Sequence, residues 1–257
     1  MIPLVMGVLN VTPDSFSDGG RWVDPGAAVA HGLEMARAGA RVIDVGGEST
    51  RPGAEPVEEA EEKRRVVSVI EALAPQVRVS IDTRKVGVAE AGIEAGATLV
   101  NDVSATLWPV AAAGGAGWVA MHMQGDPTTM QADPRYEDVV QDVLGFVVAK
   151  AAEAADAGVK EIWIDPGFGF GKTPQDNLLL LRHIGRFVRS GFPVLTGTSR
   201  KSFLGRLSGN SAVNDRLEGS LATAAWAMSQ GVSMVRVHDV EPTVQLARLI
   251  GMEIEAA

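Results

Sequence analysis

The chain has no cysteine in its 257 residues, which excludes disulfides and thiolate metal sites. Basic residues are in deficit, 23 Lys and Arg against 32 Asp and Glu, for a formal net charge of −9. That balance repels nucleic-acid phosphates and anionic membranes, whose affinity for a protein comes from clustered cations, so neither is expected as a partner. No apolar run reaches the roughly 18 residues that suggest a membrane span. The opening MIPLVMGVLN has no basic residue before its apolar run and no small-residue cleavage site, so it reads as a strand of a cytoplasmic protein rather than as a leader. Linkers and low-complexity tracts are also lacking, and a single domain over residues 1–257 is expected.

What is present is a repeating unit: an Ala- and charge-rich helical stretch, a turn usually holding Gly, a short apolar run, then a polar residue. Copies end in RVIDVGGEST, ATLVNDVS, GWVAMHMQG, KEIWIDPG, FPVLTGTSRK and SMVRVHD, and PLVMGVLN and QVRVSIDTRK bring the set to eight. The apolar runs do not alternate, as expected of parallel strands covered on both faces, and Gly suits the left-handed cap of the preceding helix. Eight such units in a chain near the usual length of about 250 residues predict a (β/α)8 TIM barrel. Helices are expected over residues 27–38, 58–73 and 136–157. Asp24-Pro25 and Thr173-Pro174 read as caps followed by Pro in the first turn.

In such a barrel the residues just past the strands meet at one mouth, where this fold does its chemistry. Those positions hold Asn10, Asp44 and Glu48, Asp82, Asn101 and Asp102, His122, Asp165, Ser199 to Lys201, and Arg236 with His238. Ionised carboxylates suit a ligand rich in N–H donors, because each accepts two parallel hydrogen bonds. Asp82 and Asp165 are the candidates, unless they instead brace the barrel through ion pairs with Arg84 or Lys85. Arg200, Lys201, Arg236 and His238 end the last two strands, the recurrent phosphate site of the fold, so an anionic substrate group is expected there. The period of two places 236 and 238 on one side of their strand, which opposes an outward, solvated Arg236. Two long glycine-marked loops, residues 10–20 and 46–57, are candidate lids or plain surface connections.

Other chemistries find no support. GFGFGKT lacks the first Gly of a phosphate loop, whose place Pro166 takes, and Lys172 stands where a dinucleotide fingerprint needs its third Gly. The four His residues are too scattered for an obvious metal site, and His31 and His183 fall in predicted helices. There is no nucleophile elbow and thus no sign of an acyl-enzyme.

Nine segments in order, GVLNVTPDSFSDGG, IDVGGESTRPGA, VSIDT, NDVS, MHMQGDPTTMQ, DPGFGFGKT, SRKSFLG, RLEGSLA and VRVHDV, make residues 5–250 resemble the dihydropteroate synthase family. The resemblance implies that 6-hydroxymethyl-dihydropterin pyrophosphate and p-aminobenzoate are joined to give dihydropteroate and pyrophosphate. It also implies a reaction through a pterin cation, with Mg²⁺ as cofactor and a homodimer formed through the later helices. By the family pattern Asp82, Asn101, Asp165, Lys201 and Arg236 hold the pterin. Phe16, Thr50, Arg51, Pro52, Phe170, Ser199 and Lys201 form the p-aminobenzoate site, and Asn10, Arg51, Arg236 and His238 take the pyrophosphate. Asn10 is the Mg²⁺ contact, while Asp18, Lys201, Arg236 and His238 carry the catalysis. Sulfonamide sensitivity is expected. Residues 105–117 depart from the family pattern and leave the length of the fourth helix open, with Trp108 expected to pack rather than bind ligand. A corrinoid-linked pterin methyltransferase domain and a non-catalytic pterin-binding paralogue are the competing readings.

Overall fold

The computed structural model describes residues 2–12, 24–49 and 54–251. Within them the strands are β1 (Leu4–Asn10), β2 (Val42–Gly46), β3 (Arg78–Asp82), β4 (Leu99–Asp102), β5 (Gly117–Met121), β6 (Ile162–Asp165), β7 (Leu195–Thr196) and β8 (Met234–Val237). They form one eight-stranded sheet in the order β6-β5-β4-β3-β2-β1-β8-β7, with every pairing parallel. A parallel bridge between Ile164 and Val194 joins the two ends, which closes the barrel that the eightfold rhythm predicts. Strand β7 is only two residues long, and Val194 before it completes the closure.

The connecting helices are α1 (Pro25–Arg37), α2 (Glu59–Leu73), α3 (Val86–Glu94), α4 (Trp108–Gly114), α5 (Val139–Asp156), α6 (Pro174–Arg182), α7 (Ile184–Val188), α8 (Ser202–Leu207), α9 (Leu217–Ser229) and α10 (Val240–Gly251). Local chemistry sets their starts. Asp24 accepts from the Gly26 N–H at 2.8 Å, with Pro25 in the first turn, and Thr173 and Asp176 form a reciprocal capping box ahead of α6. Helix α5 begins three residues later than residue 136, because Asp138 caps the N–H groups of Val140 and Gln141. The extra short helices α7 and α8 were not expected. His183, at φ −104° and ψ 13°, interrupts the helical path between α6 and α7.

Helix α4 has seven residues and ends at Gly115 in the left-handed region, φ 68°, which settles the open length of the 105–117 segment. Trp108 is part-buried against the core, as expected. Asp102 organises the turn that precedes it, accepting from the N–H groups of Ser104, Thr106 and Leu107 and from Trp118 Nε1. This strand-end carboxylate therefore serves the loop rather than the mouth.

Alternation along the strands builds two levels inside the barrel. Met6, Val42, Leu99, Val119, Trp163, Leu195 and Met234 form an apolar plug. Two residues further along six of those strands the period of two brings Asp44, Asn101, Met121, Asp165, Gly197 and Arg236 to face the same interior. A larger core of Val, Ile, Leu and Ala fills the space between sheet and helices. No helix of the described residues is long and apolar enough to cross a membrane.

Candidate active site

The mouth above the plug holds an open cavity lined by Asp82, Asn101, Asp165, Lys201, Arg236 and Phe170, with Val103, Met121 and Phe168 as apolar wall. Five strands or the loops just after them thus deliver the predicted pterin residues to one place. Arg236 lies at the centre. Its Nε donates to Asp44 Oδ2 and its Nη2 to Asp82 Oδ2, both at 2.6 Å, while Asn101 Nδ2 donates to the same Asp44 oxygen at 2.9 Å. The alternative of an outward, solvated Arg236 is excluded.

Burial dominates the titration of this cluster. It raises Asp82 to about 7, against the pull of Arg236 and with the help of the Asp44 charge. Burial likewise raises Asp165 to about 6, opposed by the Gly167 N–H, which donates to Oδ1 at 2.8 Å, and by Lys201. Arg236 is held above its ordinary value, because Asp44 and Asp82 outweigh the cost of its burial.

Arg84 and Lys85 do not pair with Asp82 or Asp165. Arg84 Nε donates to Glu48 Oε1 at 3.0 Å and Lys85 Nζ to Glu48 Oε2 at 2.5 Å, and Lys85 also pairs with the buried Glu62. Glu48 accepts from the Val57 N–H as well, so it anchors the loop after β2 instead of facing the cavity. Arg200 is likewise diverted. It sits at φ 56° and forks onto Asp239 at 3.0 and 2.5 Å, leaving Lys201 as the cation of this loop that reaches the cavity.

The loop after β6 packs too closely for side chains at two of its glycines. A Cβ on Gly167, at φ +68°, would lie 1.9 Å from the His122 carbonyl oxygen, and one on Gly171 would lie 2.5 Å from that of Gln124. Lys172, which the motif comparison treats only as a mismatch, is buried and donates to the carbonyls of Phe170 at 2.9 Å and His122 at 3.2 Å. It also meets His122 Nδ1 at 3.0 Å. Burial and the adjacent Lys172 push the His122 ring down to about 3, so the imidazole is neutral and can accept. Burial likewise lowers Lys172 itself to about 7. Tyr136 donates to the Gly171 carbonyl at 2.6 Å, and Gln131 to that of Gly169. The strapped loop presents Phe170, whose ring lies 4.1 Å beneath Lys201 Nζ.

At the rim, Ser199 Oγ and His238 Nδ1 are 3.1 Å apart, and Ser199 Oγ accepts from the His238 N–H. Neither lines the cavity. Asn10 ends β1, paired in register with Gly46, which in turn pairs with Asp82. Phe16, Asp18, Thr50, Arg51 and Pro52 lie outside the described residues. Val103, Met121 and Phe168 were missed as cavity walls. The signal for Met121 was available in its spacing of two from the plug residue Val119.

A sequence profile described as pterin binding enzyme matches residues 6–238. The Escherichia coli (strain K12) dihydropteroate synthase is 44% identical over 99% of this chain and 93% of its own length. The chain belongs to the dihydropteroate synthase family. Its fold agrees closely with solved members. The Yersinia pestis dihydropteroate synthase with a sulfonamide drug superposes with a TM-score of 0.90 at 44% identity, covering 96% of this chain and 93% of that one. For the Xanthomonas albilineans dihydropteroate synthase in complex with 7,8-dihydropteroate the TM-score is 0.86 at 42% identity, covering 96% and 92%. Dihydropteroate synthases are transferases of folate biosynthesis, and the corrinoid-linked and non-catalytic readings are not favoured.

Proposed function

We propose that this chain joins 6-hydroxymethyl-dihydropterin pyrophosphate to p-aminobenzoate, releasing pyrophosphate, with the pterin seated in the cavity at the mouth of the barrel. The observation that carries this reading is the convergence of Asp82, Asn101 and Asp165 with Lys201 and Arg236 around one cavity. Asp165 and Asp82, when ionised, accept hydrogen bonds from the amino-pyrimidine edge, and Asn101 supplies both a donor and an acceptor. The apolar wall suits the flat ring. Lys201 and Phe170, with Ser199 at the rim, form the p-aminobenzoate side together with Phe16, Thr50, Arg51 and Pro52. Arg236 and His238, with Asn10 and Arg51, take the pyrophosphate.

Reaction begins with cleavage of the bond between the exocyclic methylene and the pyrophosphate oxygen, which leaves with the electron pair. The pterin cation is stabilised by the ring and by the carboxylates around it, a task the family pattern also gives to Asp18. The aniline nitrogen then forms the new C–N bond and loses a proton. Arg236 and His238 orient the leaving group. Pyrophosphate release strictly coupled to amine attack, with none in the absence of p-aminobenzoate, would count against the cation.

Mg²⁺ is the proposed cofactor, offsetting charge on the pyrophosphate when bound. Asn10 offers a hard amide oxygen at the end of β1, in keeping with an ion that takes few protein ligands and keeps water and phosphate oxygens. Among the described residues no group of three or more His, Cys, Asp or Glu could hold a metal by itself.

We further propose a cytoplasmic homodimer formed through the later helices, and inhibition by sulfonamides. Leu217 and Trp226 of α9, 37% and 45% exposed, support the choice of face. The deciding assay is pyrophosphate release and dihydropteroate formation with Mg²⁺, with and without p-aminobenzoate. Product formation that disappears in Asp165→Ala is expected. Tight pterin binding without turnover would overturn the enzymatic reading.

A further inference from the structure

Asp44 lies beneath the cavity rather than on its wall. Its register partner on β3 is Ser80, whereas Asp82 pairs with Gly46, so Asp44 sits one inward-facing position below Asp82. It is fully buried and does not line the cavity. Oδ2 nevertheless receives two donors that do belong to the cavity wall, Arg236 Nε at 2.6 Å and Asn101 Nδ2 at 2.9 Å. Oδ1 has no hydrogen-bond partner among the described residues. A buried carboxylate with an unsatisfied oxygen is costly, and the two bonds it does make both set the direction of groups above it.

The two acceptors of Arg236 differ in access. Asp44 is shielded, with a side chain 0% exposed, while Asp82 is 13% exposed and lines the cavity. A ligand entering the cavity can compete for Asp82 and for Arg236 Nη2, but not for the bond beneath them.

We propose that Asp44 is a positioning residue that holds Arg236 Nε and Asn101 Nδ2 throughout turnover, while the Arg236–Asp82 bond is exchanged for contacts to the pterin pyrophosphate. This rests on the reading of Asp82, Asn101 and Arg236 as ligands of that substrate. The anchored guanidinium keeps its plane and one bond. Its Nη2 becomes available to the incoming substrate at the moment Asp82 turns to the pterin, so the orientation does not have to be found anew in each cycle.

The test is Asp44→Asn, which keeps the size and removes the charge. The Kd for pterin pyrophosphate is expected to rise about tenfold or more, the scale of losing a charge-assisted bond, while the KM for p-aminobenzoate moves less than about twofold. Asp82 is faced by Arg236, Asp44, Glu62 and Lys201, so removing the Asp44 charge also moves the pH midpoint of pterin binding downward. Unchanged affinity and midpoint, or a parallel rise in both constants in a variant with a native near-ultraviolet spectrum, would overturn the proposal. Should the variant not fold, wild-type protein with ¹⁵N-labelled arginine decides, its Arg236 signals assigned with Arg236→Lys. Slow exchange of the Arg236 Nε–H must survive saturation with pterin pyrophosphate, and its loss on binding would overturn the anchor. A wild-type protein that does not bind pterin pyrophosphate would defeat the site reading itself, an outcome distinct from normal binding by Asp44→Asn.

Discussion

Arg236 Nη2 donates to Asp82 Oδ2 at 2.6 Å, which ties β8 to β3 across the mouth of the barrel. The two strands are not neighbours in the sheet, so the pair spans the opening where the pterin is proposed to sit. Asp82→Asn keeps the shape but removes the charge that faces both Arg236 and the pterin. Steady-state kinetics should show kcat/KM for pterin pyrophosphate reduced by about tenfold or more. A change smaller than twofold would separate Asp82 from substrate recognition.

The raised carboxyls predict a pH dependence with opposite signs for binding and folding. Asp165 at about 6 and Asp82 at about 7 accept pterin N–H donors only when ionised. Pterin affinity should therefore fall as pH drops through 7 and then 6, as calorimetric titrations between pH 5 and 8 can follow. In folding the sign reverses. A carboxyl whose folded value is raised contributes stability that is full below the unfolded value of about 4 and lost as pH rises through the folded one. Pterin affinity that does not vary over this window would contradict the assignment.

Lys85 sits between Glu48 and Glu62, whose side chains are 7% and 1% exposed. Lys85→Met strips both buried carboxylates of this partner. Urea unfolding should show a loss of about 3 kcal/mol or more, the usual range for breaking a buried pair from one side. A loss below about 1 kcal/mol would mean that Arg84 and Thr83 satisfy the cluster alone.

Gly167→Ala combines a left-handed backbone, φ +68°, with a Cβ placed 1.9 Å from a backbone oxygen. Nothing at the far end of a flexible side chain can yield there. The variant should lose more than about 2 kcal/mol of stability along with pterin binding. Wild-type melting behaviour would show that the loop after β6 can move away from β5.

Lys172 places its ammonium on the Phe170 and His122 carbonyls at the cost of complete burial. Lys172→Met keeps the stem and removes the charge, so the melting temperature should change little while the loop loses two of its straps. The expected readout is a several-fold rise in the KM for p-aminobenzoate through Phe170, with a smaller effect on pterin. Equal kinetics in the two proteins would make Lys172 a packing residue only.

The repeat of helix, glycine, apolar run and polar residue was enough to determine the barrel, because each unit carries its own strand and caps in local sequence. Asp24, Thr173 and Pro174 mark helix starts through contacts a few residues long. The strand-end positions also told which polar residues could reach the mouth, and Asp82, Asn101, Asp165, Lys201 and Arg236 all arrive there. Local pattern could not say which of those polar groups another side chain would claim. Asp102 is taken by its own loop, Glu48 by Lys85 and Arg84, and Arg200 by Asp239, and none of these choices follows from strand position. Asp44 became the partner of Arg236, 192 residues away, only because the barrel sets β8 beside β1 and so one strand from β2. Hydrogen-bond acceptors are shared out by distance and burial after the chain has closed on itself, and those quantities exist only in the tertiary structure.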